Sequence, residues 1–174
     1  AYAFFQNNYE ADFLFNGNNN SNNDEFNNYL KRLGYKFKNE NQEFGGYIIL
    51  KNKKICLIMD AGSTPNLKYT KDYQSGALSF EITSNGKKLI SNCGYYKKDN
   101  NKLNQLSKTS AAQSTLIIDD SSSCKFTQVK NHFYVKDGLK TIKKNTIFEK
   151  DYWKISGSHD GYMKKYKTIH EREI

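Results

Sequence analysis

The chain has 174 residues, a formal net charge of +9, 37% hydrophobic and 14% aromatic residues. That is enough for one domain with a packed core and too little for two of ordinary size, and 13 Tyr with 11 Phe argue for a strand-rich globular protein over a disordered one. No apolar run approaches the roughly 20 residues of a bilayer-spanning helix, and none resembles a secretory signal. In chain order, the opening AYAFF lacks an initiator Met and the closing HEREI stops just after a strand-like pattern. The chain therefore reads as a single β-sandwich domain, 1–174, cut at both ends from something longer. NGNNNSNN at 16–23 is a polar loop too poor in apolar residues to pack. After it, DEFNNYLKRLG sets Phe26, Leu30 and Leu33 at helical spacing, with acids at the start and Gly34 as the stop, predicting one short helix near 24–33.

Strand patterns fill the remainder: 46–50, 54–60, 114–119, 124–129, 145–151, 153–158 and 163–170, with turn signals between them. The clearest is GALSFEITSNGKKLISNCGYY, 76–96, where Leu78, Phe80 and Ile82 alternate ahead of Asn85-Gly86. A two-residue turn there sets Ile82 opposite Leu89, Leu78 opposite Cys93, Glu81 opposite Ile90 and Ser79 opposite Asn92. The expected fold is mainly β, an antiparallel sandwich of stacked sheets.

The positive charge draws the chain towards polyanions. Lys is spread along the whole length, however, and no basic block interleaved with aromatics marks a nucleic-acid reader. Cys56, Cys93 and Cys124 lack metal-type spacing and sit in core-like contexts, so buried thiols are expected. No phosphate loop, histidine pair at helical spacing or nucleophile elbow is present. Of the three histidines, His132 reads as a surface or hydrogen-bonded residue. His159 stands in SGSHDGY, where Gly157 and Gly161 let the backbone turn around a His-Asp pair; such a turn presents an imidazole and a carboxylate for proton transfer or sugar binding, although an ordinary loop has the same composition.

Taken in order, FLFNG, GGYIIL, LIMDAGSTPN, GALSFEI, ISNCGYY, AAQSTLIIDDSSS, SGSHDGY and HERE resemble the C-terminal β-sandwich region of the heparinase II/III-like family of bacterial polysaccharide lyases. The resemblance runs from about residue 12 to the end and is weakest in the Asn-rich loop, 97–108 and 130–150. It implies a parent that cleaves uronic-acid-containing polysaccharide, such as a glycosaminoglycan, by β-elimination. It also implies an N-terminal α/α toroid as partner domain, an acidic polysaccharide as ligand, and a periplasmic location; neither a membrane nor nucleic acid is among the expected partners. Much of the lyase apparatus lies on the toroid, so this piece alone is expected to be inactive, and its catalytic residues are not assigned.

In the family a His, the Asp of a D-x-G and a second His bind a metal ion. The matching positions here hold Gln74, Asn92 in NCG and Gln113 in AQSTL. Neutral amides are poor zinc ligands but match the hydrogen-bonding geometry of sugar hydroxyls and of one another. A degenerate, metal-free site without cofactor is expected, either an internal network or a glycan contact. Further glycan-contact candidates are His159, Asp160, Tyr162, His170 and Arg172. Arg172 could hold a uronate carboxylate bidentately, against the commoner account of a surface salt bridge with Glu171 or Glu173. A non-catalytic carbohydrate-binding or structural module is the alternative to a lyase portion.

Overall fold

In a computed structural model of the chain, the described residues are 32–34, 41–52, 54–85, 87–94, 96 and 101–174. Alternating apolar residues build the first sheet. In β2 (Tyr47–Lys51), Ile48 and Leu50 face one core cluster while Tyr47 and Ile49 face another. In β3 (Ile55–Asp60), Leu57 and Met59 join the first cluster, and Cys56 and Ile58 the second. β3 is thus covered on both faces, as befits the middle strand of the antiparallel order β1-β2-β3-β4-β5, completed by β1 (Gln42–Phe44), β4 (Phe80–Ser84) and β5 (Lys87–Ile90).

The hairpin of β4 and β5 follows the expected register at its turn and then departs from it. Asn85 has a φ of 48°, the left-handed setting that a type I′ turn requires. Ser84 lies opposite Lys87 and Thr83 opposite Lys88, but a bulge then sets Ile90, not Leu89, opposite Ile82. The extra residue is Leu89, which the bulge leaves without a cross-strand partner and which is exposed like the rest of β5. Leu78 lies before β4, at a φ of 59°, yet is fully buried beside Phe80 and Ile82. The expected Ser79–Asn92 pairing survives only as a side-chain bond, Asn92 Nδ2 donating to Ser79 Oγ at 3.3 Å.

β8 (Thr141–Phe148), β9 (Trp153–His159) and β10 (His170–Glu173) form a second antiparallel sheet in the order β10-β9-β8. Trp153 and Ile155 of β9 pack onto Ile48, Leu50, Leu57, Met59 and Leu78, which closes the sandwich. The sheets meet at Gly157, where a Cβ would stand 2.7 Å from Leu78 Cδ2. β6 (Lys125–Val129) and β7 (His132–Asp137) pair separately and bury Val135 against Tyr73, Ala77, Cys124 and Leu139, alongside a 3-10 turn at Leu67–Asp72.

Several expectations need correction. Residues 114–119 form no strand, only an isolated bridge between Ile118 and Ser121. Residues 163–170 are α2 (Met163–Tyr166) and a connection, and β10 begins at His170. α1 (Asn101–Ser107) and β7 were not anticipated. Cys93 is exposed, whereas Cys56 and Cys124 are buried as expected; all three are free. The predicted loop at 16–23 lies outside the described residues, as does nearly all of the predicted helix at 24–33. Among the described residues no helix is long and apolar enough to cross a membrane.

Candidate functional site

The three amides stand on the segments that enclose the start of β4. Gln74 follows the Leu67–Asp72 turn, Asn92 follows β5, and Gln113 follows a 3-10 turn at Ser110–Ala112. Gln74 Nε2 and Gln113 Nε2 converge on one acceptor, the Ser107 carbonyl at the end of α1, at 3.1 and 3.2 Å. Asn92 turns to the next residue, its Oδ1 accepting from Ser114 N–H at 2.7 Å. The backbone N–H of Asn92 donates to Glu81 Oε1 at 3.0 Å, and burial raises the pKa of that carboxyl. Gln74 and Gln113 are thus brought together, while Asn92 joins them through Ser114. The three amides carry no charge; both glutamines point an N–H at a carbonyl, and the oxygen of Asn92 is already engaged. Among the described residues, no three His, Cys, Asp or Glu side chains are grouped as a metal site requires.

The second cluster stands where β9 and β10 pair, with His159 directly opposite His170. His159 Nδ1 accepts from Gly161 N–H at 3.1 Å, so a proton on Nε2 serves the 3.0 Å contact with His170 Nδ1. The rings are edge-on, 89° apart, at 4.9 Å between centroids. Burial, aided for His159 by its partner, lowers both imidazole pKa values to about 4. Both are therefore neutral at pH 7. Tyr162, fully buried beside both rings, donates its hydroxyl to the Leu116 carbonyl at 2.5 Å.

Arg172 links the clusters. Its Nη1 donates to the carbonyls of Leu78 at 2.7 Å and Ser114 at 2.5 Å, and its guanidinium lies 5.3 Å from the centre of the Phe80 ring. The surface salt bridge considered from sequence is not formed: Glu173 pairs with Lys154 at 2.8 Å instead. Asp160 stands at the margin, where its Oδ1 accepts from Lys140 N–H at 2.7 Å.

Sequence reasoning missed the serines that hold this region. Ser114 Oγ accepts from Phe80 N–H at 2.8 Å and donates to Phe80 O at 2.6 Å, extending β4 on one side. Ser75, Ser110 and Ser123 are buried together, with Ser75 Oγ 2.9 Å from Ser123 Oγ and Ser110 Oγ donating to Ser75 O at 2.8 Å. The available signal was the serine-rich SSSC at 121–124, too common in loops to stand out. Lys108 was also missed. It is 1% exposed and donates to the carbonyls of Lys71 and Tyr73; burial lowers its pKa to about 8.

Residues 41–174 match the family described as Heparinase II/III-like, C-terminal. Among solved structures, the fold is similar to a heparinase III gene product with methylated lysines, at a TM-score of 0.61 and 13% identity over 86% of this chain. It is also similar to a crystal structure of heparinase III, at a TM-score of 0.58 and 17% identity over 85%. This chain spans only 24% and 25% of those two chains. No curated protein matches.

Proposed function

The chain belongs to the heparinase II/III-like family through its C-terminal region, and from that premise we propose that it is the β-sandwich portion of a polysaccharide lyase. The parent would act by β-elimination on a uronic-acid-containing polysaccharide: a base takes the proton next to the carboxylate, the carboxylate charge is neutralised, and an acid protonates the departing glycosidic oxygen. The observation that carries this reading is the family match over 41–174 together with the shared fold. The portion on its own is inactive in this proposal. His159 and His170 are neutral and bonded to each other and, through His159, to Gly161, and the half-buried Arg172 guanidinium is spent on two backbone carbonyls. We further propose that the amide cluster does without zinc and holds the segments at 74, 92, 107 and 113 by hydrogen bonds alone.

The test is an elimination assay on the 174-residue chain with uronate polymers, reading the absorbance of the unsaturated product. No turnover is expected from this chain, and turnover in a parent that also carries a helical toroid. Turnover by this chain alone overturns the inactivity, and none by such a parent overturns the lyase reading. In elemental analysis, stoichiometric zinc lost on substituting Gln74 or Gln113 would overturn the metal-free site. A second reading, a non-catalytic glycan-binding or structural module, is favoured by the burial of His159, Tyr162 and His170. It predicts glycan binding without cleavage even in the parent.

A further inference from the structure

We propose that the hollow between the β6–β7 pair and α2 is a binding site for one acidic sugar residue, a unit bearing a carboxylate or a sulfate ester. The inference goes beyond the lyase reading and does not need it, because a module that only bound glycan would use the same hollow. The cavity measures about 160 Å³ and is built from three separate stretches, 121–125, 137–138 and 160–166. Its depth comes from a close backbone approach: a Cβ at Gly161 would stand 2.6 Å from the Ser123 carbonyl oxygen, so only glycine leaves this wall intact. The same glycine is anchored by its N–H to His159 Nδ1. The buried imidazole pair thereby acts as a backstop for the hollow.

The polar groups of the lining are of two kinds. Lys125 and Lys165 are exposed cations; Lys165 Nζ is held over the mouth by Ser121 Oγ at 2.8 Å and lies 4.8 Å from the centre of the Tyr166 ring. Asp137 and Asp160 supply carboxylates. Asp137 is paired with Lys164 at 2.6 Å, a contact that holds its pKa below the ordinary carboxylate range. Asp160 uses one oxygen on Lys140 N–H. Lysines alone would suit any polyanion; the two carboxylates add acceptors for hydroxyl hydrogen bonds and disfavour a ligand that brings a charge at every unit over one with a single anionic group. A ligand that satisfies both sets carries several hydroxyls and one anionic group, which describes a uronate or a sulfated sugar. The phosphate backbone of duplex DNA, which has no hydroxyl donors, satisfies only one set.

The test is a 1H–15N NMR titration of the 174-residue chain with glucuronic acid, glucose 6-sulfate, glucose and inorganic sulfate as separate probes. The two anionic sugars are expected to shift the amides of 121–125 and 160–165 saturably. Glucose and inorganic sulfate should each bind on the order of five-fold more weakly or worse, since each lacks one charge-assisted or hydroxyl contact set. Comparing the two anionic sugars tells carboxylate from sulfate ester. Lys165→Ala and Lys125→Ala alter exposed side chains and should fold normally, each weakening the anionic sugars about five-fold. Inorganic sulfate binding as tightly as the sugars, glucose binding as tightly as glucuronic acid, shifts confined to other residues, or no saturable shifts would each overturn the proposal. None of these results bears on elimination by a parent enzyme, so the two readings fail separately.

Discussion

At the scale of single residues, the amide cluster makes a sharp prediction because both glutamines donate to one oxygen. Gln74→Glu keeps the shape but turns a buried donor into an anion facing the Ser107 carbonyl, so a destabilisation of about 2–3 kcal/mol is expected at pH 7. That loss should shrink as pH falls and the new carboxyl regains a proton. Gln74→Met removes the donor without adding charge and should cost about 1 kcal/mol at every pH. Urea denaturation at pH 7 and pH 5 checks both; no loss for Gln74→Met would mean that the Ser107 carbonyl does not need this donor, and equal losses for the two variants at pH 7 would mean that the new carboxylate is not held against it. The histidine pair gives a pH dependence of opposite cause. Both imidazoles have folded pKa values of about 4, below the ordinary 6.5, so the folded state favours their neutral forms. Their contribution is fully present above pH 6.5 and is lost as pH falls towards 4, by about 3 kcal/mol in all for the coupled pair. His170→Asn should flatten that stretch of the stability curve, and an unchanged slope would contradict the neutral pair.

At the scale of elements, the least legible stretch in the sequence was 114–119. Its apolar run has the composition of a strand but no strand beside it. The carbonyls of Leu116 and Ile118 accept instead from the hydroxyls of Tyr162 at 2.5 Å and Tyr166 at 3.0 Å, and Asp119 and Asp120 at positive φ end any extended run. The same two tyrosines explain why 163–170 is not a strand: they stand four residues apart, Tyr162 at the N-cap of α2 and Tyr166 at its end, at a spacing hidden among its lysines. Tyr162→Phe should therefore cost about 1 kcal/mol in urea denaturation. Tyr162→Phe with Tyr166→Phe should speed amide exchange at Ser121, which bonds to Ile118 O at 2.8 Å, by about ten-fold. Exchange that accelerates equally in β3 would show global loss rather than release of this segment. β2, β3, β9 and the β4–β5 turn were readable because alternation and Asn-Gly are local signals; the Leu89 bulge was not, since it answers to Ile90 meeting Ile82. Of the site, the order of motifs gave the residues but not their partners: Ser107, Ser114 and the serine network are non-local backbone and hydroxyl contacts that no spacing reveals.

At the scale of the whole molecule, a charge of +9 acts at long range while the hollow acts at contact, and the two can be separated by salt. Lys87 and Lys88 are exposed on the edge strand β5, and Lys143 and Lys144 on β8 at the edge of the other sheet, so positive charge is dispersed over both sheets. A dispersed field attracts any polyanion and is screened beyond about 10 Å at 0.1 M salt. Retention on a heparin resin and on duplex DNA should therefore be comparable at low ionic strength. Lys87→Glu with Lys88→Glu lowers the net charge by four and should bring elution from both resins to lower salt by a similar margin, reading out a sequence-independent, counterion-release term. The same pair should leave the glucuronic acid titration of 121–125 and 160–165 unmoved, because a side-chain contact does not depend on the far field. Elution that falls on DNA alone would place the uronate-polymer contact away from this general charge. A weakened glucuronic acid titration would instead make the apparent sugar site part of the field.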